Sequence, residues 1–180
     1  MTSSVLGNLI AYEAIRQTNA VSMDDVIETK DNVYGNIIGI GAFFTRVKTT
    51  KNEIVNIPNL NLVSNVVKNY SRESHVIIHI PVSLGYDIKK NTAKKLLLEA
   101  ARKTEGVLGD PAPFVLFLEL GNYSITYEVN AFTDQFNNLI NIRSCLMENI
   151  IDVFEKNKIE TISPQYAILK IADSNVIRLR

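Results

Sequence analysis

From Ser4 to Thr18 the apolar residues Val5, Leu6, Leu9, Ile10 and Ile15 fall on one helical stripe, with Glu13, Arg16 and Gln17 elsewhere on the wheel. This predicts a short amphipathic helix, either packed as an N-terminal helix or lying against a partner or a bilayer interface. From Asp24 to Ser71 the pattern changes to short β-prone runs separated by turn residues: Asp25 to Thr29, Val33 to Ile40, Phe43 to Thr50, Glu53 to Ile57 and Asn65 to Ser71. The polar stretch from Thr49 to Glu53 supplies a hairpin turn. Gly35, Gly39 and Gly41 fall where a strongly bent strand needs residues without a β-carbon, so a small, curved, barrel-like sheet is expected.

After Arg72 strands alternate with longer helices. Val76, Ile78, Ile80 and Val82 share one face of a strand, with His75, Ile77, His79 and Pro81 on the other. A helix from about Asp87 to Thr104 carries Ile88, Ala93, Leu96, Leu97 and Ala100 as its apolar stripe and stops before Gly106, where a C-cap is expected. Two strands, Phe114 to Leu120 and Ile125 to Thr133, meet at a hairpin-like turn over Gly121 to Ser124. A second helix, about Phe136 to Lys156, repeats Phe136, Leu139, Ile140, Ile142, Leu146, Met147, Ile150 and Phe154 at helical spacing, and a final strand is expected near Tyr166 to Ala172. The order β-α-β-β-α-β is that of a ferredoxin-like split sheet. The fold class is therefore α+β: a helix over residues 1–22, a five-stranded Sm-like β-domain over 23–73, and a ferredoxin-like α/β domain over 74–180.

Composition narrows the functional classes. In 180 residues, 46% of them hydrophobic, nineteen Lys and Arg balance nineteen Asp and Glu, so the long-range field that gathers nucleic acid or anionic lipid is missing at whole-chain level. Cys145 is the one cysteine, which rules out an intrachain disulfide and fits a reducing compartment. A spanning helix needs roughly 20 consecutive apolar residues, and the longest run is only Phe114 to Leu118. The first residues carry no basic region followed by a long apolar one, so neither a transmembrane segment nor a signal peptide is expected.

Four ordered blocks are the most specific feature: Gly35-Asn36-Ile37-Ile38, Thr45-Arg46-Val47-Lys48-Thr49, Ile54-Val55-Asn56-Ile57-Pro58-Asn59 and Asn69-Tyr70-Ser71-Arg72. Together they resemble the middle β-domain of MscS-type small-conductance mechanosensitive channels. Ser4 to Ala11, containing Asn8, looks like that family's segment after the kink in the pore helix. Val82 to Asp87, Val107 to Pro111 and Leu120 to Ile125 resemble its α/β domain. There are departures: Tyr12 stands where the family usually has Gly, Asn19-Ala20-Val21 replaces Arg-Pro-Phe, and Asp24 replaces a frequent Gly.

The resemblance implies family-motif structural roles for Asn8, Gly35, Thr45, Pro58, Asn59, Asn69, Tyr70, Ser71 and Arg72. Independently of it, Pro58 lacks an amide hydrogen and must end its strand. Asn59 suits a tight turn, and Arg72 offers a planar fork for a carboxylate or several carbonyls. Shaping the fold is a sufficient role for any one of these three.

Other chemistry finds little support. His75 and His79 share a strand face but have no third ligand for zinc. The glycines from Gly35 to Gly41 do not open a helix, so a phosphate-binding loop fails its context. Cys145, among Ile142, Leu146 and Met147, reads as a small core residue. Asp24, Asp25 and Asp110 read as turn and cap residues. Tyr34, Arg46 and Lys48 on a small β-barrel imitate a nucleic-acid platform, against which the neutral charge and few aromatics argue. No catalytic residue, cofactor or metal is expected.

The resemblance thus implies a cytoplasm-facing vestibule portion of a channel subunit. It is soluble as given, sits beneath a pore in the cell membrane of the parent channel, and joins copies of itself in a homo-oligomer, a heptamer in the family pattern. It would support gating and filter solutes without conducting by itself. Membrane contact would come through transmembrane helices outside this sequence or through the N-terminal helix, with no nucleic-acid partner. The rival reading is a stand-alone Sm-like or ferredoxin-like module that binds RNA or a small ligand.

Overall fold

A computed structural model describes residues 2–159. These residues cluster into two compact units: those up to Val76 together with Gln135–Asn137, and Ile77–Asp134 together with the chain from Asn138.

In the first unit α1 (Thr2–Thr18) leads into five strands: β1 (Val26–Thr29), β2 (Tyr34–Ile40), β3 (Phe44–Thr49), β4 (Ile54–Pro58) and β5 (Val67–Asn69). They form one antiparallel sheet of order β4-β3-β2-β1-β5. Alternation dictates its faces: Gly35, Ile37 and Gly39 on β2 and Thr45 and Val47 on β3 point inward, while Phe44, Arg46 and Lys48 point out. The core is Ile15, Val21, Ile27, Ile37, Val47, Ile57 and Leu62. The expected five strands are present as an open sheet: among the described residues β4 and β5 are its two edges, with no ladder between them. A register shift between Ile37 and Gly39 marks the bulge that the glycine-rich strand suggested.

Two features differ from the sequence reading. Asn59 does not make a tight turn after Pro58; it opens a six-residue helix, α2 (Asn59–Ser64). The expected strand from Asn65 to Ser71 is cut to three residues, and Tyr70–Arg72 wind into a 3₁₀ turn. Asn69 causes this, because its side chain accepts from the Ser71 amide at 3.0 Å and so starts a local turn in competition with the ladder.

The second unit contains β6 (Val76–Gly85), α3 (Lys90–Lys103), β7 (Phe114–Leu120), β8 (Ser124–Thr133) and α4 (Leu139–Lys156), with sheet order β6-β8-β7. Ile78 and Ile80 of β6 are buried, as are Ala93, Leu96, Leu97 and Ala100 of α3 and Ile142, Leu146, Ile150 and Phe154 of α4. Tyr127 and Val129 of β8 complete this core. Gly106 takes a left-handed φ of 84° after α3, the conformation that favours glycine there. The chain is α+β, with an N-terminal helix, antiparallel sheets and a C-terminal helix. The strand expected near Tyr166 to Ala172 lies outside the described residues.

Cys145 is exposed, contrary to the core role expected for it. At about 100° per residue, the buried arc of α4 is centred between Ile142 and Ile150, and Cys145 falls beyond its edge. Among the described residues no helix is long and apolar enough to cross a membrane, and no three His, Cys, Asp or Glu gather as a metal would need.

Candidate functional site: the clamp at the helix-to-sheet junction

The family-motif residues converge in the first unit on the passage from α1 into β1. Asn19, with φ 51°, stops α1 by turning left-handed, a conformation that asparagine tolerates. Asp24, at φ 67°, does the same just before β1, which explains physically why a glycine fits that position. Asp25 is 9% exposed, and its Oδ2 gathers the junction. It accepts from the Ser22 amide at 2.8 Å and from the Asn69 side-chain amide at 2.7 Å, and it pairs with the Arg72 guanidinium at 3.2 Å. Arg72 Nη2 also donates to the Asn19 carbonyl at 2.5 Å and to Ser22 Oγ at 3.2 Å. A single guanidinium nitrogen, Nη2, thus holds a carboxylate and a carbonyl together. Ser71 Oγ accepts from the Val26 amide at 3.0 Å, tying the end of the sheet to its first strand.

A second group of polar contacts docks α1 onto α2. Thr45 and Asn59 are fully buried, and the Thr45 hydroxyl donates to Asn59 Oδ1 at 2.9 Å. Asn59 Nδ2 donates to the Gly41 carbonyl at 2.8 Å, and its amide donates to the Phe43 carbonyl at 3.0 Å. One asparagine therefore ties the start of α2 to the β2–β3 turn. Helix α2 follows Pro58 with no side-chain cap of its own. Asn8 of α1 supplies the missing acceptor, its Oδ1 taking the Leu60 amide at 3.0 Å. The helices meet closely here: a β-carbon on Gly7 would stand 3.2 Å from a Leu60 methyl.

Tyr70 points away from the clamp, toward β1. Its hydroxyl donates to Glu28 at 2.5 Å, and Lys68 pairs with the same carboxylate oxygen at 2.9 Å. The Tyr34 and Tyr70 rings meet edge to face at 5.7 Å. The Tyr70 hydrogen bond, followed by Lys68, holds the Glu28 carboxyl below its ordinary value of 4.5. Burial, and then Glu28, raises the Tyr70 phenol well above the usual tyrosine range, and burial pushes Tyr34 up to about 12.

The signs give a two-sided pH dependence. The Glu28 contribution is present above pH 4.5 and is lost as pH falls through the lowered value. The tyrosine contribution is complete below pH 10, the ordinary tyrosine value, and is lost as pH rises toward about 12 and beyond. Thermal melts of Tyr70→Phe should show a weaker fall in stability between pH 9 and 12 than the parent; an identical alkaline slope would contradict this assignment.

The sequence reading named Asn8, Gly35, Thr45, Pro58, Asn59, Asn69, Tyr70, Ser71 and Arg72. The structure brings Asn69, Ser71 and Arg72 into the clamp and Asn8, Thr45 and Asn59 into the α1–α2 dock. Pro58 ends edge strand β4, opposite Phe44. Gly35 lies in the β2–β3 ladder, where a β-carbon would stand 2.1 Å from the Lys48 carbonyl oxygen. Sequence reasoning missed Asp25 as the shared acceptor. Its signal was faint: an aspartate three residues after a serine, matched by an asparagine and an arginine more than forty positions on.

Residues 4–72 match the mechanosensitive ion channel beta-domain, and residues 76–161 match the C-terminal part of the mechanosensitive ion channel MscS. The chain belongs to the MscS family of mechanosensitive ion channels. That family is one of channels, not of enzymes. An uncharacterized MscS family protein of Aquifex aeolicus is 23% identical over 155 residues, covering 83% of this chain and 42% of its own length. A small-conductance mechanosensitive channel of Edwardsiella ictaluri is 25% identical over 133 residues, covering 74% of this chain and 46% of its own. This MscS-family chain thus spans less than half the length of either relative. The closed-state crystal structure of Helicobacter pylori MscS superposes with a TM-score of 0.75 at 17% identity, covering 89% of this chain and 63% of that one. Arabidopsis thaliana MSL1 gives 0.65 at 21% identity, covering 89% and 57%. At such identities the solved structures speak for the fold alone.

Arg72→Ala should cost about 1 kcal/mol, since the pair is partly open to water, and should speed amide exchange over 19–25 while leaving the second unit unchanged. Exchange that stays slow over that stretch would deny Arg72 its clamping role.

Proposed function

We propose that this chain is the vestibule portion of an MscS-family channel subunit, lying on the cytoplasmic side of the cell membrane beneath a pore. Residues 1–22 act as the link toward the membrane, 23–73 as the β-domain and 74–180 as the α/β domain. Copies assemble about an axis as a homo-oligomer, a heptamer in the family pattern. The ring anchors the inner ends of the pore helices against membrane tension, and openings in its wall filter solutes. Asn8, the α1–α2 dock and the Asp25–Arg72 clamp carry the mechanical load from link to sheet.

One observation carries this reading: two consecutive parts of a mechanosensitive channel match one chain in order, with α1 tied to α2 through Asn8 and its end at Asn19 tied to the turn after β5 through Arg72. An edge-exposing sheet also gains from a neighbour that covers it. Static light scattering at several protein concentrations should give a ring-sized mass, and planar bilayers exposed to the polypeptide alone should stay silent. A persistent monomer with salt-sensitive RNA binding, or pores formed by this chain alone, would overturn the proposal.

A further inference from the structure

The two helices of the second unit differ in charge: α3 is strongly basic, whereas α4 carries three carboxylates, Glu148, Asp152 and Glu155, against two cations, Arg143 and Lys156. Along α3, Lys90, Lys94, Lys95, Arg102 and Lys103 stand against Glu99 alone. Lys90, Lys94, Lys95 and Arg102 are all exposed. Only Lys103 is neutralised by its neighbour, pairing with Glu99 at 2.7 Å; among the described residues the other four make no ion pair within the chain. Neutral overall charge makes this local excess notable, because four cations are left unpaired on one helix and two of them, Lys90 and Lys94, stand at the i,i+4 spacing where like charges repel.

On α4, Glu148, Asp152 and Glu155 are exposed and recur at i, i+4 and i+7, so they share the face opposite buried Ile142, Leu146 and Ile150. Beside this acidic ridge runs an apolar one, with Ile140 54%, Met147 39% and Ile151 53% exposed. Ser144 donates to Glu148 at 3.3 Å, and the other two carboxylates have no ion pair among the described residues. Helices of 14 and 18 residues are about 21 and 27 Å long, enough for a continuous contact.

We infer that the basic face of α3 on one copy docks against the acidic and apolar ridges of α4 on the next copy. The two faces are different surfaces of one chain, so the contact is head-to-tail, which is the kind that closes rings. Ile140, Met147 and Ile151 supply the apolar centre, and the lysines and carboxylates set register and exclude a like-on-like arrangement. This deepens the homo-oligomer reading above and rests on it.

The test is charge reversal in the full chain, read by light scattering across protein concentration and salt. Lys94→Glu with Lys95→Glu, and separately Glu148→Lys with Asp152→Lys, should each weaken association by roughly tenfold or more. Combining all four should restore it to near the parent level. All these positions are exposed, and unchanged circular dichroism checks that the variants fold. An oligomer whose mass ignores both reversals overturns this interface and leaves the ring proposal standing. A parent chain that is monomeric at every concentration overturns both. Reversals on α3 that abolish only binding to anionic vesicles, with assembly intact, assign that face to lipid and overturn the inference.

Discussion

Gly35→Ala is expected to abolish the cooperative unfolding transition of the first unit or to lower its stability by about 3 kcal/mol. The added methyl would sit 2.1 Å from the Lys48 carbonyl oxygen, 2.7 Å from its carbon and 2.9 Å from the Thr49 α-carbon. These are backbone atoms of the paired strand, so relief requires breaking the β2–β3 ladder, which places the cost at the upper end for overpacking. Gly39→Ala is the control. There the new methyl meets the Arg46 guanidinium at 2.6 Å, and a flexible side chain can swing away. Denaturant melts should therefore separate the two variants by about 2 kcal/mol or more. Equal, small losses would show that the strands separate at Gly35 without penalty.

Asn59→Leu is expected to cost about 3 kcal/mol. It removes the acceptor of the fully buried Thr45 hydroxyl and the donor to the Gly41 carbonyl while keeping the volume. Adding Thr45→Val should recover about 1 kcal/mol, because removing both partners of a buried hydrogen bond costs less than orphaning one. No recovery in the double variant would mean that the Thr45–Asn59 bond contributes nothing, and a single-variant loss below about 1 kcal/mol would mean that water replaces it.

The residues that matter for these predictions differ in how far they could be read from the chain. Strands β2, β3, β7 and β8 were legible because alternation and turn residues act within a few positions, and the stripe of α3 because helical spacing is equally local; the α4 stripe was read too wide, since Phe136 lies in a 3₁₀ turn before the helix and Ile140 and Met147 are exposed. Helix α2 was not legible: Asn59-Leu60-Asn61-Leu62-Val63-Ser64 has no cap of its own, and its acceptor is Asn8, fifty-two positions away in the chain. The clamp was half legible. Arg72 was expected to grip a carboxylate or carbonyls, but the choice of Asp25 and Asn19 depends on two left-handed residues that bring the end of α1 back beside β5. The burial of Cys145 was misjudged because apolar neighbours in sequence are not neighbours on a helix face.

The departures from the family pattern fall at this same junction, and the geometry shows why they are tolerated. Asp24, where a glycine is frequent, and Asn19 both take left-handed backbone angles that aspartate and asparagine tolerate. Tyr12, where a glycine is usual, holds the Arg16 guanidinium over its ring at 5.6 Å.

The unpaired margins of the first sheet bear on how the chain survives before it finds its neighbours. A long, flat margin would recruit stray strands from other nascent polypeptides and grow into fibrils. Here one margin ends at Pro58, which offers no amide, and the other is three residues long with Lys68 at its middle. Each margin therefore offers a stray strand little to pair with, and newly made chains are guarded against stacking through them.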